Sequence, residues 1–384
     1  MKRFILFFFI AISFPLWAQQ LAIKGRIVDA ATQKGVPYTN IGIEGTFFGT
    51  ASDSIGVFEL KVPEGNEGRK LLVSAVGYGN VSYKITDLLK KDYVRIPLTE
   101  QTYSIKGVDV SATSKVLFRI VKTVIEKIPE NFVSGPLRME WYYQESEKVD
   151  STENRLEAVI SYSDKTGYSN PSVLGAFHDR NYHYEQVRKN FKIYSFPSGQ
   201  TGFDELLDMD MPRLKASIFN ENLIEDFDLH LDATVLYNGD YVWVISYKLL
   251  NPDLAHSGDF FVKKFEGKMY IQKNNFALVR NECEIYSDWN NAQNRSLGTH
   301  LVSKKDVRYH FISLYSELFG LKYLGSLSCD ETYTTPDGKR VSFFRSAKSM
   351  RLWRSSDQIA GRQYFENTPY NEKFWNDDFR DPGI

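Results

Sequence analysis

Between Asn40 and Leu60 the chain reads N-I-G-I-E-G-T-F-F-G-T-A-S-D-S-I-G-V-F-E-L, two alternating apolar runs around a segment of Gly, Ser, Thr and Asp. Alternation at period two predicts short half-buried strands, and Gly45, Gly49 and Gly56 predict tight turns between them. The same grammar covers the flanks. Ile23–Asp29 is an alternating run that ends in a turn through Lys34 and Gly35. Val36–Glu44, Leu71–Tyr78, Tyr93–Leu98 and Gly107–Val110 predict further strands, with a polar loop over Pro63–Lys70. Val57, Phe58 and Leu60 are expected to feed a core, and Gly77-Tyr78 to end a strand. Many short strands with frequent turns predict a two-layer β-sandwich over residues 21–112.

The period then changes. Val116, Leu117, Ile120, Val121, Val124, Ile125 and Ile128 recur on one face of a helix that Ser114 can cap and Pro129 should stop. Such a helix can lie on a membrane or pack on a sheet; the few cations on its polar face favour packing. From Leu137 alternation returns. Leu137–Glu145 and Arg155–Ser163 predict strands, Pro171–Gly202 reads as irregular, and Phe203–Lys215 reads as a helix broken at Pro212. Asn238-Gly239 predicts a hairpin turn between Asp228–Tyr237 and Tyr241–Leu249. Lys264–Gln272, Phe276–Tyr286, Val307–Leu314, Leu321–Tyr333 and Arg340–Met350 continue the series, with a turn at Pro336-Asp337-Gly338. The expected architecture is mainly β: a sandwich followed, over residues 115–355, by a large curved antiparallel sheet with a packed amphipathic helix. Residues 356–384 form an aromatic tail that can strap onto the body through Tyr364, Phe365, Phe374 and Trp375, or dock a partner.

Composition changes this picture little. Aromatics at 15% suit pleated sheets, and 47 basic against 48 acidic residues provide no basic face for a nucleic acid. The N-terminus adds more. Lys2 and Arg3 precede the apolar run Phe4–Trp17, and Ala18-Gln19-Gln20 follows, the layout of a signal peptide over residues 1–18. An uncleaved anchor is the competing reading, but the run is shorter than the ~20 residues a spanning helix needs. No later stretch is long and apolar enough to span as a helix. Export would permit a disulfide between Cys283 and Cys329 if their strands are neighbours; buried free thiols are the other reading.

Four motifs stand in order: G-R-I-V-D, G-V-P-Y-T-N-I-G-I, G-T-x-S-D-S-I-G-V-F-E-L and L-L-V-S-A-V-G-Y. Together they resemble the carboxypeptidase-regulatory-like domain, a transthyretin-like β-sandwich. The resemblance implies a non-catalytic accessory module found on exported and outer-membrane proteins of diderm bacteria. Further on, Y-x-G-D-Y-V-W-V-I-S-Y and G-K-M-Y-I-Q-K-N-N-F-A-L-V-R-N-E resemble the half-barrel of LolA-like lipoprotein carriers, which implies a partly apolar concave face.

Catalytic patterns are scarce. The sequence has no G-x-S-x-G elbow, no phosphate-cradling G-x-x-x-x-G-K-[ST] and no H-E-x-x-H. Of six histidines only His178 and His183 lie close together, with Asp179 and Glu185 beside them, a set that zinc could use but that reads as a solvated loop. Glu282 and Glu284 should raise the pKa of Cys283 rather than activate it. Asp204, Glu205, Asp208 and Asp210, like Asp377, Asp378 and Asp381, read as solvated carboxylates. Asp53-Ser54-Ile55 and Asp150-Ser151-Thr152 resemble the short sequon of periplasmic O-glycosylation. No catalytic, metal or cofactor residue is therefore assigned. The expected role is a non-enzymatic, exported binding or scaffold protein at the periplasm or outer membrane, with envelope proteins or an apolar ligand as partners. The alternatives are a lipid carrier, a small outer-membrane barrel and a hydrolase.

Overall fold

The computed structural model describes residues 21–103, 110–189, 202–290, 304–363 and 371–375, apart from Gly45, Phe47, Phe48, Ser54, Glu64, Asn238 and Phe260. The signal-like segment and the tail residues Tyr364 and Phe365 lie outside this set.

The first unit is a sandwich. Strands β1 (Ala22–Asp29), β2 (Asn40–Ile43), β3 (Gly49–Ala51), β4 (Val57–Lys61), β5 (Lys70–Ser74) and β6 (Val81–Lys84) lead into a one-turn helix α1 (Ile85–Leu88) and β7 (Val94–Leu98). They form two sheets, ordered β4-β1-β7 and β3-β2-β5-β6. Ile23, Ile27, Ile41, Ile43, Phe58, Leu60, Leu71, Val73, Ile96 and Leu98 alternate inward from both. Val57 is only half-buried, so the core takes Phe58 and Leu60 but not their neighbour. Asp53 shapes the predicted turn: its Oδ1 accepts from the backbone N–H of Ile55 (2.9 Å) and Val57 (2.7 Å). Gly56 completes it at φ +85°, where an added Cβ would stand 2.5 Å from the Ile27 carbonyl oxygen. Strand β6 and α1 were not expected from the pattern.

The second unit is one long sheet. After a two-residue strand β8 (Thr102–Tyr103) and helix α2 (Val110–Asn131) come β9 (Leu137–Val149), β10 (Thr152–Asp164), a short helix α3 (Val173–Asp179) and β11 (Arg180–Lys189). Two helical turns follow, α4 (Gly202–Leu207) and α5 (Met211–Leu214). Then come β12 (Phe227–Tyr237), β13 (Asp240–Leu249), α6 (Leu254–Ser257), β14 (Val262–Gln272), β15 (Leu278–Asn290), β16 (Lys304–Leu318), β17 (Leu321–Thr334), β18 (Arg340–Arg354) and β19 (Arg362–Gln363). The order is β19-β11-β10-β9-β18-β17-β16-β15-β14-β13-β12-β8. Seven strands, β12 to β18, form a meander, and the earlier β9-β10-β11 unit docks on its far edge through β9 and β18. The two ends of the sheet do not pair, so it is open and not the barrel kept as an alternative.

Four expectations need correction. Helix α2 begins at Val110, and Pro129 lies inside it rather than ending it. In the last turn the ring removes only one donor, and Phe132 N–H still reaches the Ile128 carbonyl at 3.1 Å. The "irregular" middle contains α3, capped by Ser172, and the full strand β11. Its inward residues are Tyr182, Tyr184 and Val187, and a register shift opposite Val159 and Ile160 breaks their alternation. Residues 203–215 form two helices that part at Asp208–Asp210, and Pro212 sits in the first turn of the second, where no N–H is needed. The strand expected at Gly107–Val110 falls largely outside the described residues; Val110 itself is helical.

Helix α2 and residues 202–226 cover one face of the sheet, here the inner face. Leu117, Val121, Val124 and Ile128 pack there with Trp141, Ile245, Met269 and Phe311, as the amphipathic pattern predicted. The outer face carries the opposite parity: Tyr142 and Val159 pack on Trp375 of the tail, while Val235, Tyr237, Val242 and Val244 pack on Val76 of the sandwich.

Candidate functional site

The acids that read as solvated are the largest surprise. Asp204, Glu205 and Asp210 are buried on the inner face. Around Asp164, at the end of β10, Arg213 makes a bidentate contact at 3.0 Å through Nε and Nη2, and the Gly167 N–H donates at 2.9 Å. Burial alone would raise the Asp164 pKa, but the Arg213 hydrogen bonds and charge outweigh it and hold the carboxyl below its ordinary value. Arg180 bonds Asp210 and reaches the Leu207 carbonyl at 3.1 Å. Asp210 also accepts from Tyr168 (2.8 Å) and Tyr315 (3.1 Å). Thus β10 and β11 grip the α4–α5 segment through ion pairs, and β16 through the Tyr315 hydroxyl.

A second network lies beside it. Arg345 on β18 pairs with Glu205 at 3.1 Å and Glu331 at 3.4 Å, and Lys304 pairs with Glu331 at 2.5 Å. Glu145 accepts from Tyr143 nearby. Among the described residues three buried carboxylates thus meet two cations. Burial pushes the Glu205 carboxyl up to about 8, against the pull of Arg345 and Lys304. Gly202 brings α4 this close: a Cβ there would stand 2.2 Å from the Tyr143 hydroxyl. These groups are committed to one another and fasten the helical cover to the sheet.

The candidate zinc set is not brought together. His178 ends α3, with its ring edge-on to Phe177. His183 lies on β11, 3.4 Å from the Ala360 carbonyl. Asp179 accepts from Thr166 at 2.6 Å, and Glu185 is exposed. Among the described residues no three His, Cys, Asp or Glu side chains converge as a metal site would require. Cys283 and Cys329 are buried free thiols. Both pair in register with Phe311 of β16, one from each side, so a whole strand separates them by about 9.6 Å, beyond disulfide reach. Burial first, and Glu284 and Glu266 after it, push the Cys283 thiol up to about 12. Ser151 is exposed in the β9–β10 turn; Ser54 lies outside the described residues.

The site that sequence reading missed lies where the sandwich meets the outer face of the large sheet. Lys348 Nζ donates to the Ala51 carbonyl at 3.0 Å, and the Tyr38 hydroxyl is 3.5 Å from Asp330. The Arg280 guanidinium stands 5.7 Å from the Tyr38 ring centre and 5.4 Å from that of Tyr270, and Arg280 pairs with Glu282 at 2.6 Å. Between the two units remains a cleft of about 140 Å³. Its sandwich wall comes from the Gly-punctuated stretch, through Asn40, Gly42, Thr46, Gly49, Thr50 and Ala51, with Ser74. Its other wall comes from β12, β15, β16, β17 and β18. The contributing residues are spread from Tyr38 to Ser349, so no local spacing announces them.

Sequence comparison with curated proteins returns no match. Similar solved structures include a DUF1329 family protein from Desulfovibrio piger (10% identity, TM-score 0.27, 64% of this chain and 95% of that one). Others are a LolA superfamily protein from Nitrosomonas europaea (10%, 0.26, 62% and 94%) and a putative outer membrane lipoprotein-sorting protein domain from Vibrio parahaemolyticus (11%, 0.25, 67% and 96%). At these scores the likeness assigns no ligand or partner. Residues 23–110, the sandwich whose motifs line the cleft, match the family model of the CarboxypepD_reg-like domain.

Proposed function

We propose that the chain is an exported, non-enzymatic binding protein of the bacterial cell envelope, in which the regulatory-like sandwich is held against the outer face of the large sheet as part of the binding surface. The observation that carries this reading is the junction itself: a polar cleft framed by the sandwich's most distinctive motif and by five strands of its neighbour. The signal-like segment and the family match over residues 23–110 support export and an accessory role. The apolar-carrier alternative is less well supported. Helix α2 and residues 202–226 occupy the inner face, so an acyl chain would enter only by displacing charged contacts such as Arg213–Asp164. The hydrolase alternative is less well supported, because His178, Asp179, His183 and Glu185 form no metal-holding group among the described residues.

Fractionation of a diderm host expressing the full chain should place the processed protein in the periplasm or with the outer membrane. The purified protein should be inactive on generic ester, peptide and glycoside substrates. Cytoplasmic retention, or a hydrolase activity abolished by an alanine substitution, would overturn the reading.

A further inference from the structure

Two sheets packed face to face normally interdigitate side chains until little space remains. At this junction several facing positions are small, set among larger ones such as Tyr38, Tyr237 and Tyr323. The sandwich contributes Gly42, Gly49 and Ser74, and the large sheet contributes Ser316, Ser326 and Ser349. The gap is therefore encoded by residue size, and it is lined by hydroxyls where an interface built only for docking would place Leu, Ile or Val.

Charge narrows what can occupy it. Arg280 is paired with Glu282, and Glu317 with Lys322 at 2.5 Å. Lys348 contacts the Ala51 carbonyl. Arg280 and Glu317 are thus neutralised within the protein, while Lys348 keeps its charge and turns it to a main-chain carbonyl. What the cleft offers is aromatic surface from Tyr38, Tyr237 and Tyr323, together with hydroxyl and amide groups that can both donate and accept. Tyr237, held by Ser74 and Asn40, links the two walls. A volume of 140 Å³ equals several waters at about 30 Å³ each, or one small ring.

Resting on the reading of the chain as a binding protein, we propose that this cleft binds a neutral, polyhydroxylated ligand of monosaccharide size. The carbohydrate C–H faces would rest on tyrosine rings, and the ligand hydroxyls would replace water on Asn40, Ser326 and Ser349.

The test uses the full purified chain and saturation-transfer NMR with glucose, galactose and N-acetylglucosamine, with inorganic phosphate and citrate as anionic probes. At least one neutral sugar should bind saturably. Ser349→Phe, which fills the cleft, should weaken that binding by about tenfold or more, equivalent to about 1.4 kcal/mol. Ser326→Ala, which removes one hydroxyl and adds no atom to the cleft, should weaken it by a smaller factor while leaving the thermal melt unchanged. No binding by any sugar, binding untouched by both variants, or binding of the anions alone would each overturn the proposal. Envelope location and lack of hydrolysis are measured separately, so a failed sugar experiment leaves the broader reading to stand or fall on its own.

Discussion

The sandwich and the inner face of the large sheet solve the burial problem differently. The sandwich core is almost wholly aliphatic: Ile23, Ile27, Ile41, Leu71, Ile96 and Leu98 face one another with Phe58. The inner face of the large sheet adds fully buried Arg213 and Arg345 and the acids that meet them. Aliphatic burial is non-directional and tolerates small changes, whereas a buried ion pair is stable only while every partner remains. The difference teaches where each unit is brittle. The sandwich depends on turn geometry and shape, and the sheet depends on charge balance across segments distant in sequence.

Removing one partner should expose this contrast most strongly. Arg213→Met leaves Asp164 short of its bidentate partner and should cost about 3–5 kcal/mol in urea unfolding. Pairing it with Asp164→Leu should recover part of the loss; a purely additive double variant would show that the charges do not act together. All five tryptophans outside the signal-like segment lie beyond the sandwich, so their fluorescence reports the large sheet.

The next effect is pH dependence. Glu205 has a folded-state pKa of about 8 against an ordinary 4.5. Between those values the native state binds more protons than the unfolded one, so stability falls as pH rises across that window. The slope is at most about 1.4 kcal/mol per pH unit. Glu205→Gln should flatten this decline. Equal pH profiles for the two proteins would show that another group carries the excess proton.

Smaller effects belong to the sandwich. Gly56→Ala places a side chain at φ +85° against the Ile27 carbonyl and should cost about 1–3 kcal/mol. Tyrosine fluorescence or hydrogen exchange in residues 21–98 would locate the loss. Ile27→Val, which removes one methylene from the aliphatic core, should cost only about 0.5–1.5 kcal/mol and be independent of pH. A pH-dependent cost there would erase the contrast between the two regions.

Local rules reached as far as local physics acts. Alternation at period two placed β1, β7, β12, β13 and the long strands β16 to β18, because one buried face imposes that period on neighbouring residues. The turns at Gly56, Gly239 and Gly338 were legible because each needs a positive φ that glycine adopts without strain. The apolar stripe of α2 was legible for the same reason, although its ends were not. Tertiary structure decided what lay between distant segments. It turned Asp210 and Glu205 from presumed surface acids into buried partners of Arg180 and Arg345, and Asp204 into a buried acceptor for the Tyr182 hydroxyl. It put a whole strand between Cys283 and Cys329, and it assembled a cleft from Tyr38, Arg280 and Ser349. Side-chain periodicity reports which way a residue faces, but the identity of whatever faces it depends on strand order, and that is fixed only when the β9–β11 unit and the sandwich dock.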